Sequence, residues 1–305
     1  MKILVTGGAG FIGSNLVEEL VKLGHEVVCI DNFFLGNMDN LAAVKDKITV
    51  VKGDIRNEKD VLKAAKGANC IYNEAAASSS PMFKEDLRGS IAVNIDGFVN
   101  ILNAARKNDA GVIFASTSSI YGNNPPPLKE DMKLTPPNFY SATKYAEEHI
   151  ARIYTDEYGI KTIGFRYMSV YGPHEKSKGK FANLVSQFLW SMQKNEAPVI
   201  YGDGEQTRDF TFVADVVQAN VLALEAKAKN DIFNVGTGVA TSLNDMIAIL
   251  NKVMNKDIKP EYVETPVKNY ILTQLADISK IKEALGYEPK YTLEDGIKLL
   301  IEGKA

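Results

Sequence analysis

Tyr140 and Lys144, in Tyr140-Ser141-Ala142-Thr143-Lys144, stand one turn apart in a stretch that reads as helical, so both side chains leave the same face. A phenol beside an ammonium is a proton-transfer device. The cation favours the phenolate, draws the phenol pKa toward the working range, and lets the oxygen take a proton from a hydroxyl. Upstream, Ser116-Thr117-Ser118-Ser119 follows the apolar run 112–115 and sets hydroxyls where a strand ends. One of them can hydrogen-bond a reacting oxygen, and all of them can serve the ordinary purpose of satisfying strand-end amides. The Tyr and Lys pair is also common on amphipathic helices, so its meaning depends on what lies opposite it.

What lies opposite is set by Thr6-Gly7-Gly8-Ala9-Gly10-Phe11-Ile12-Gly13, which joins a first strand to a first helix. Gly7, Gly10 and Gly13, with Phe11 and Ile12 between the last two, offer backbone amides and a positive helix end to a pyrophosphate that a Cβ would keep away. Asp31 closes the second strand about twenty residues on, where a carboxylate can hold the adenosine ribose hydroxyls. That choice selects NAD over NADP, because a 2′-phosphate would meet the Asp31 charge and Asn32, Phe33 and Phe34 bring no cation to offset it. A plain turn carboxylate is the alternative for Asp31. Asp54 and Ile55 follow the third strand and can flank the adenine, although Asp54 can equally cap the helix that starts near Asn57. Ala75, Ala76 and Ala77 follow the fourth with side chains small enough for a cofactor to lie close.

The elements that must position these groups alternate. Strand-like runs at 2–6, 26–30, 48–52, 70–72, 112–115 and 161–165 are separated by helical patterns, beginning with 11–23. This predicts an α/β fold: a Rossmann-type, doubly wound parallel sheet that binds its ligand at the carboxyl ends of the strands. Past 166 the loops lengthen, before strand-like 232–235 and helical 242–254. The expected organisation is a cofactor domain at 1–166, with a returning segment near 210–237, and a smaller mixed substrate domain at 167–305. The stretch 87–105 is apolar on two sides, which suits a helix packed between the sheet and either a second subunit or another helix of the same chain.

With these motifs in place the sequence resembles the extended short-chain dehydrogenase/reductase family, and within it the sugar-nucleotide epimerases. The resemblance runs over nearly the whole chain. It is carried by 6–13, Asp31-Asn32, the 116–122 element ending in Ile120-Tyr121-Gly122, Tyr140 to Lys144, 166–173, and Tyr201-Gly202-Asp203-Gly204 through Gln206-Thr207-Arg208-Asp209-Phe210. It implies that Thr117, Tyr140 and Lys144 are catalytic, that Asn94 and Tyr167 join Tyr140 and Lys144 among the cofactor contacts, and that Ser118, Ser169, Lys178 and Arg208 face the substrate, Arg208 on its diphosphate. The implied reaction is a UDP-hexose 4-epimerisation. Tyr140 removes the 4-hydroxyl proton with help from Thr117, NAD accepts the hydride, and the 4-keto sugar turns about its diphosphate link before the hydride returns. The implied assembly is a homodimer.

Related dehydratases carry an Asp-Glu pair after the catalytic Thr, and related decarboxylases a Glu; here Ser118 and Ser119 stand there, so a 4,6-dehydration lacks its general acid. The stretch Ser177-Lys178-Gly179-Lys180 resembles that of heptose 6-epimerases, where a lysine is a second acid/base, which leaves an ADP-heptose 6-epimerase as an alternative to an exposed loop lysine or phosphate contact. A cofactor-sensing protein without chemistry is a further alternative, which the retention of Thr117, Tyr140 and Lys144 disfavours. The chain departs from the family at Ser169, at Asn73-Glu74, and at Val267-Lys268-Asn269-Tyr270. A buried, unpartnered Glu74 would be costly, so a partner, solvent or a cation is expected beside it.

The composition excludes other classes. A formal charge of -3 supplies no basic field for nucleic acid or an anionic membrane, and no apolar run reaches spanning length. Cys29 and Cys70, each inside an apolar run, support neither a disulfide framework nor a metal site. The chain enters its first strand directly, with no signal-peptide pattern, and a cytoplasmic enzyme is expected.

Overall fold

The computed structural model describes residues 1–265 and 270–303. Six strands build most of one sheet: β1 (Lys2–Thr6), β2 (Glu26–Asp31), β3 (Thr49–Lys52), β4 (Cys70–Asn73), β5 (Gly111–Thr117) and β6 (Thr162–Tyr167). A seventh, Asn230–Val235, pairs with β6 at one edge, and the order from there is β6, β5, β4, β1, β2, β3. Every pairing is parallel. The inner strands β1, β4, β5 and β6 are accordingly buried on both faces, as a sheet covered on two sides requires, while the edge strand β3 is half open. The chain runs outward from β1 through β2 to β3, then returns to place β4 on the other side of β1. This reversal opens a crevice at the carboxyl ends of β1 and β4.

Helix α1 (Phe11–Lys22) buries Leu16, Val17 and Leu20 on one face of the sheet, beside α8 (Val213–Ala223). The other face is covered by α2 (Glu58–Ala64), α5 (Asp96–Asn108) and α6 (Phe139–Tyr158), through Val61, Phe98, Ile101, Leu102 and Ala151 among others. A separate core, with Tyr171, Val185, Leu189, Phe212, Met246, Leu250 and Ile297, joins α7 (Leu184–Gln193), α9 (Leu243–Met254) and α11 (Leu293–Glu302). Short two-stranded pairs edge it, such as Ser169–Tyr171 with Phe210–Phe212.

Two expectations are corrected. The stretch 87–105 is two helices, α4 (Leu87–Asn94) and α5, with Ile95 between them at φ −97° and ψ −60°. The hydrogen bond from Ile95 N–H to Ile91 O persists at 2.8 Å, so the break is a bend of one residue, placed where the Asn94 side chain is bonded to neighbouring loop and helix. The second correction lengthens β5 and β6 beyond the runs 112–115 and 161–165. Ser116 pairs with Arg166 and Thr117 with Tyr167, so polar residues that read as loop continue the ladder. That extension carries Thr117 and Tyr167 side by side to the carboxyl edge.

Candidate active site

The glycine turn shows why its residues are small. Gly7 has φ +64°, and a Cβ there would lie 2.8 Å from the Ala75 nitrogen; a Cβ on Gly13 would lie 2.2 Å from the Gly7 oxygen. Helix α1 thus starts tight against β1 and β4, and its N-cap, Gly10, makes no side-chain cap bond. The first amides of the helix are left to an incoming anion. Asp31 is fastened to this turn: its Oδ2 accepts from Ala9 N–H at 3.0 Å and its Oδ1 from Phe33 N–H at 2.8 Å. Burial raises its pKa, and those two amides work against the rise. A carboxylate has lone pairs left for two further donors, as ribose hydroxyls would be.

A cavity of about 650 Å³ runs along this edge. At one end lie Asp31, Asn32, Asp54 and Ile55; in the middle Gly7, Gly10 to Gly13 and Ala75 to Ala77; at the other Thr117, Tyr140, Lys144 and Tyr167. Asp54 does not cap α2, whose N-cap bond is made by Asn57. It accepts instead from Arg56 Nε at 2.9 Å, Arg56 Nη2 at 2.7 Å and Asn32 Nδ2 at 3.1 Å, and the Arg56 hydrogen bond leads in holding its pKa down, at about 2. Arg56 also lines this end, unforeseen from the sequence. Its charge is met by Asp54 two residues away, a spacing that could have pointed to it.

Tyr140 sits in the first turn of α6 because Asn138 caps that helix, accepting from Ser141 N–H at 3.0 Å while the Ser141 hydroxyl returns a bond. The phenol faces the cavity rather than bulk water, against the Phe83 ring and near Thr117, whose hydroxyl favours the phenolate. One turn on, Lys144 is 2% exposed; its Nζ donates to Ala115 O at 2.8 Å and to Glu147 Oε2 at 3.0 Å. The expected fall of the phenol pKa is not produced by these residues. Burial pushes Tyr140 above its ordinary value, Lys144 and Thr117 offset this in part, and Glu147 opposes them. Glu147, 1% exposed, was not singled out in the sequence; as a charge three residues after Lys144 it could have been.

Behind the site, Arg166 grips both oxygens of Glu148, at 3.0 and 2.8 Å, and the Ser116 hydroxyl donates to the same carboxylate at 2.6 Å. Ser116 is therefore structural, a brace between β5, β6 and α6. Glu74 finds the partner it needed: Tyr167 Oη donates to its Oε1 at 3.0 Å, and Asn220 Nδ2 in turn donates to Tyr167 Oη at 2.7 Å.

Among the residues expected to face substrate, Ser118, Ser169 and Lys178 line the far end of the cavity. The Ser118 hydroxyl accepts from Gln274 Nε2 at 3.2 Å. Lys178 is not an exposed loop residue: its ammonium stands 3.4 Å from the buried Glu175 and 5.4 Å from the centre of the Phe11 ring. Asn183 and Gln274 also line this end; they come from distant loops that no local pattern marks.

Two residues expected among the contacts are not in the cavity wall. Asn94 stands one layer behind the cavity, its amide engaged by Ala77 N–H at 2.8 Å, Ala77 O at 3.2 Å and the Thr143 hydroxyl at 2.9 Å, so it shapes the wall without forming it. Arg208 is turned from the cavity, donating to Thr207 O and Ile271 O, each at 2.7 Å, and leaning on the Tyr270 ring. Carbonyl oxygens hold Nη1 and one donor of Nη2, while Nε makes no bond among the described residues. Of the departure at 267–270, residues 267–269 lie outside the described residues.

A glycine cradle that side chains would fill, a carboxylate with acceptor sites to spare at one end and a phenol with an ammonium at the other fit a dinucleotide laid along the crevice. Comparison with known proteins agrees. The family described as "NAD dependent epimerase/dehydratase family" matches residues 3–236. A UDP-N-acetyl-alpha-D-glucosaminuronate decarboxylase of Bacillus cytotoxicus is 31% identical over 99% of this chain and 97% of its own length. A UDP-glucose 4-epimerase of Mycolicibacterium smegmatis is 33% identical over 99% and 98%. The crystal structure of a UDP-glucose 4-epimerase with UDP-glucose from Thermotoga maritima superposes with a TM-score of 0.94, at 35% identity, covering 99% of this chain and 98% of that one. The match over most of its length, motif by motif along the crevice, makes this chain a member of the NAD-dependent epimerase/dehydratase family, an enzyme with NAD as its cofactor.

Proposed function

We propose that the protein epimerises a UDP-hexose at carbon 4. The observation that carries this reading is the far wall of the cavity: Tyr140 and Thr117 line it together, and the two positions after Thr117 are Ser118 and Ser119, which bring no carboxyl group beside them to expel a hydroxyl or assist loss of a carboxylate. Tyr140 takes the 4-hydroxyl proton while Thr117 orients that oxygen, and Lys144 supplies positive charge beside the phenol. The hydride passes to NAD and, after the 4-keto sugar turns, returns to its opposite face. In this reading the sheet half, 1–166 with 210–237, holds the cofactor, and the rest of 167–305 shapes the sugar side through Ser169, Lys178 and Asn183. Incubation with UDP-, ADP-, GDP- and dTDP-sugars, resolved by chromatography, tests it. Interconversion of UDP-glucose and UDP-galactose, or of their N-acetyl or uronic counterparts, is expected, and Tyr140→Phe should slow it roughly 10²- to 10⁴-fold. Loss of water or carbon dioxide from the sugar overturns it.

A second reading is favoured by one observation. Lys178 lies in the cavity, close to Phe11 at the start of α1, where it could act from the side opposite Tyr140 as in a heptose 6-epimerase. Lys178→Met separates the two. Abolished conversion of an ADP-heptose with nucleotide binding intact supports this reading, and unimpaired conversion of a UDP-hexose defeats it.

A further inference from the structure

Glu74 has no part in the chemistry above, yet it lines the cavity. Its backbone packs on the glycine turn, where a Cβ on Gly7 would lie 3.0 Å from the Glu74 carbonyl carbon. Its carboxyl lines the cavity, accepts from Tyr167, and lies within electrostatic reach of Lys144. These contacts place it on the half between the glycine turn and Tyr140. A dinucleotide with its adenosine ribose at Asp31 and its pyrophosphate on the turn has its nicotinamide half left for that side. The oxidised ring is a cation and the reduced ring is neutral, so a fixed charge nearby discriminates between them. Lys144 alone would favour the reduced ring.

We propose that Glu74 sets the redox preference of the bound cofactor, its carboxylate stabilising NAD⁺ over NADH and countering Lys144. In the epimerase reading, on which only this consequence rests, the preference drives the returning step. The hydride, with its two electrons, forms a C–H bond at the carbonyl carbon, the carbonyl π bond breaks, and the oxygen takes the Tyr140 proton. A cofactor held toward the oxidised state keeps the ketone from being stranded opposite NADH.

Burial lifts the Glu74 carboxyl to about 7, against the Tyr167 hydrogen bond and the Lys144 charge. The preference should therefore strengthen as pH rises through neutrality. The titratable groups that act on it are Tyr72 from β4, Tyr167 from β6 and Lys144 from α6, with Tyr140 and Glu147 of α6 in turn acting on or beside Lys144. Tyr72 and Tyr167 are pushed well above the ordinary tyrosine value and stay neutral. Tyr140 responds to the ring charge in the same sense as Glu74, so the comparison belongs in a Tyr140→Phe background.

The experiment measures affinities for NAD⁺, NADH and ADP-ribose by competition, in Tyr140→Phe and in Tyr140→Phe with Glu74→Gln, from about pH 6 to 8.5. At the upper end the Gln variant should raise the ratio of the NAD⁺ to the NADH dissociation constant roughly three- to thirtyfold. A tenfold change corresponds to about 30 mV in the two-electron potential of the bound cofactor. ADP-ribose, which lacks the ring, should bind unchanged, and the rise in preference through neutrality should disappear. Glu74→Leu should give the same shift and replaces the Gln variant if that one fails to fold. An unchanged ratio overturns the proposal, as does an equal weakening of all three ligands. Failure of the unsubstituted protein to bind either form of NAD would instead defeat the cofactor assignment, whereas an unchanged ratio in the variants, with the unsubstituted protein active as an epimerase, defeats the Glu74 role alone.

Discussion

Lys144 carries its charge in a nearly solvent-free place, and Glu147, 3.0 Å away, is what makes that tolerable. The arrangement has a cost for catalysis. Burial lifts the Glu147 pKa to about 7, only partly offset by Lys144, so above neutrality its anion withholds from Tyr140 some of the lysine field. One carboxylate oxygen, Oε1, has no hydrogen-bond partner. Glu147→Gln keeps the shape and removes the anion. The acid limb of kcat/KM, set by ionisation of Tyr140, should then move to lower pH by about half a unit to one unit, since loss of a neighbouring anion favours the phenolate. A pH–rate profile of the variant checks this, and a limb that stays or moves upward refutes it. Thermal stability should fall as well, because removing one partner of a buried pair strands the other.

At the scale of elements, the site depends on how closely α1 approaches β1 and on where α6 begins. Gly13→Ala would put a methyl group 2.2 Å from the Gly7 oxygen, and backbone, not a flexible side chain, would have to move. We expect a loss of about 1 to 3 kcal/mol in stability and more than tenfold in NAD affinity, read by thermal unfolding and by titration with the cofactor. A variant with unaltered NAD affinity would show that the turn is not the pyrophosphate seat. The start of α6 is decided by Asn138 and Ser141, a reciprocal cap that sets Tyr140 in the first turn and Lys144 in the second. The motif around Tyr140 is thus one half chemistry and one half helix termination.

For the whole molecule, α4, α5 and α6 run side by side, tied by Asn94 to Thr143, by Tyr154 to Asn103, and by Arg106 over the Tyr158 ring. Leu87 and Ile91 of α4 and Ile153 and Tyr158 of α6 remain exposed, more apolar surface than two solvent-facing helices need. A second copy of this chain, packed helix pair to helix pair, accounts for them, and we propose a homodimer on this face. Light scattering should give twice the chain mass, and Ile91→Glu with Ile153→Glu should reduce it to one chain. A protein that is already monomeric without substitutions would dispose of the idea. Among the described residues no helix is long and apolar enough to cross a membrane.

The amino-acid sequence by itself determined the alternation of strand and helix, the glycine turn, Asp31 at the end of β2 and the register of Tyr140 with Lys144, because each is a matter of period or spacing over a few residues. The tertiary structure decided what depends on groups brought from afar. Arg208 and Asn94 have polar groups that a local pattern can only mark as available, and it is the packing that engages them with backbone carbonyls and amides of Ile271, Leu272 and Ala77. Glu74, a misfit in the sequence, becomes explicable only once Tyr167 of β6 and Lys144 of α6 are beside it. Local pattern records which bonds a residue can make; which partner reaches it first is settled by how the strands and helices are stacked.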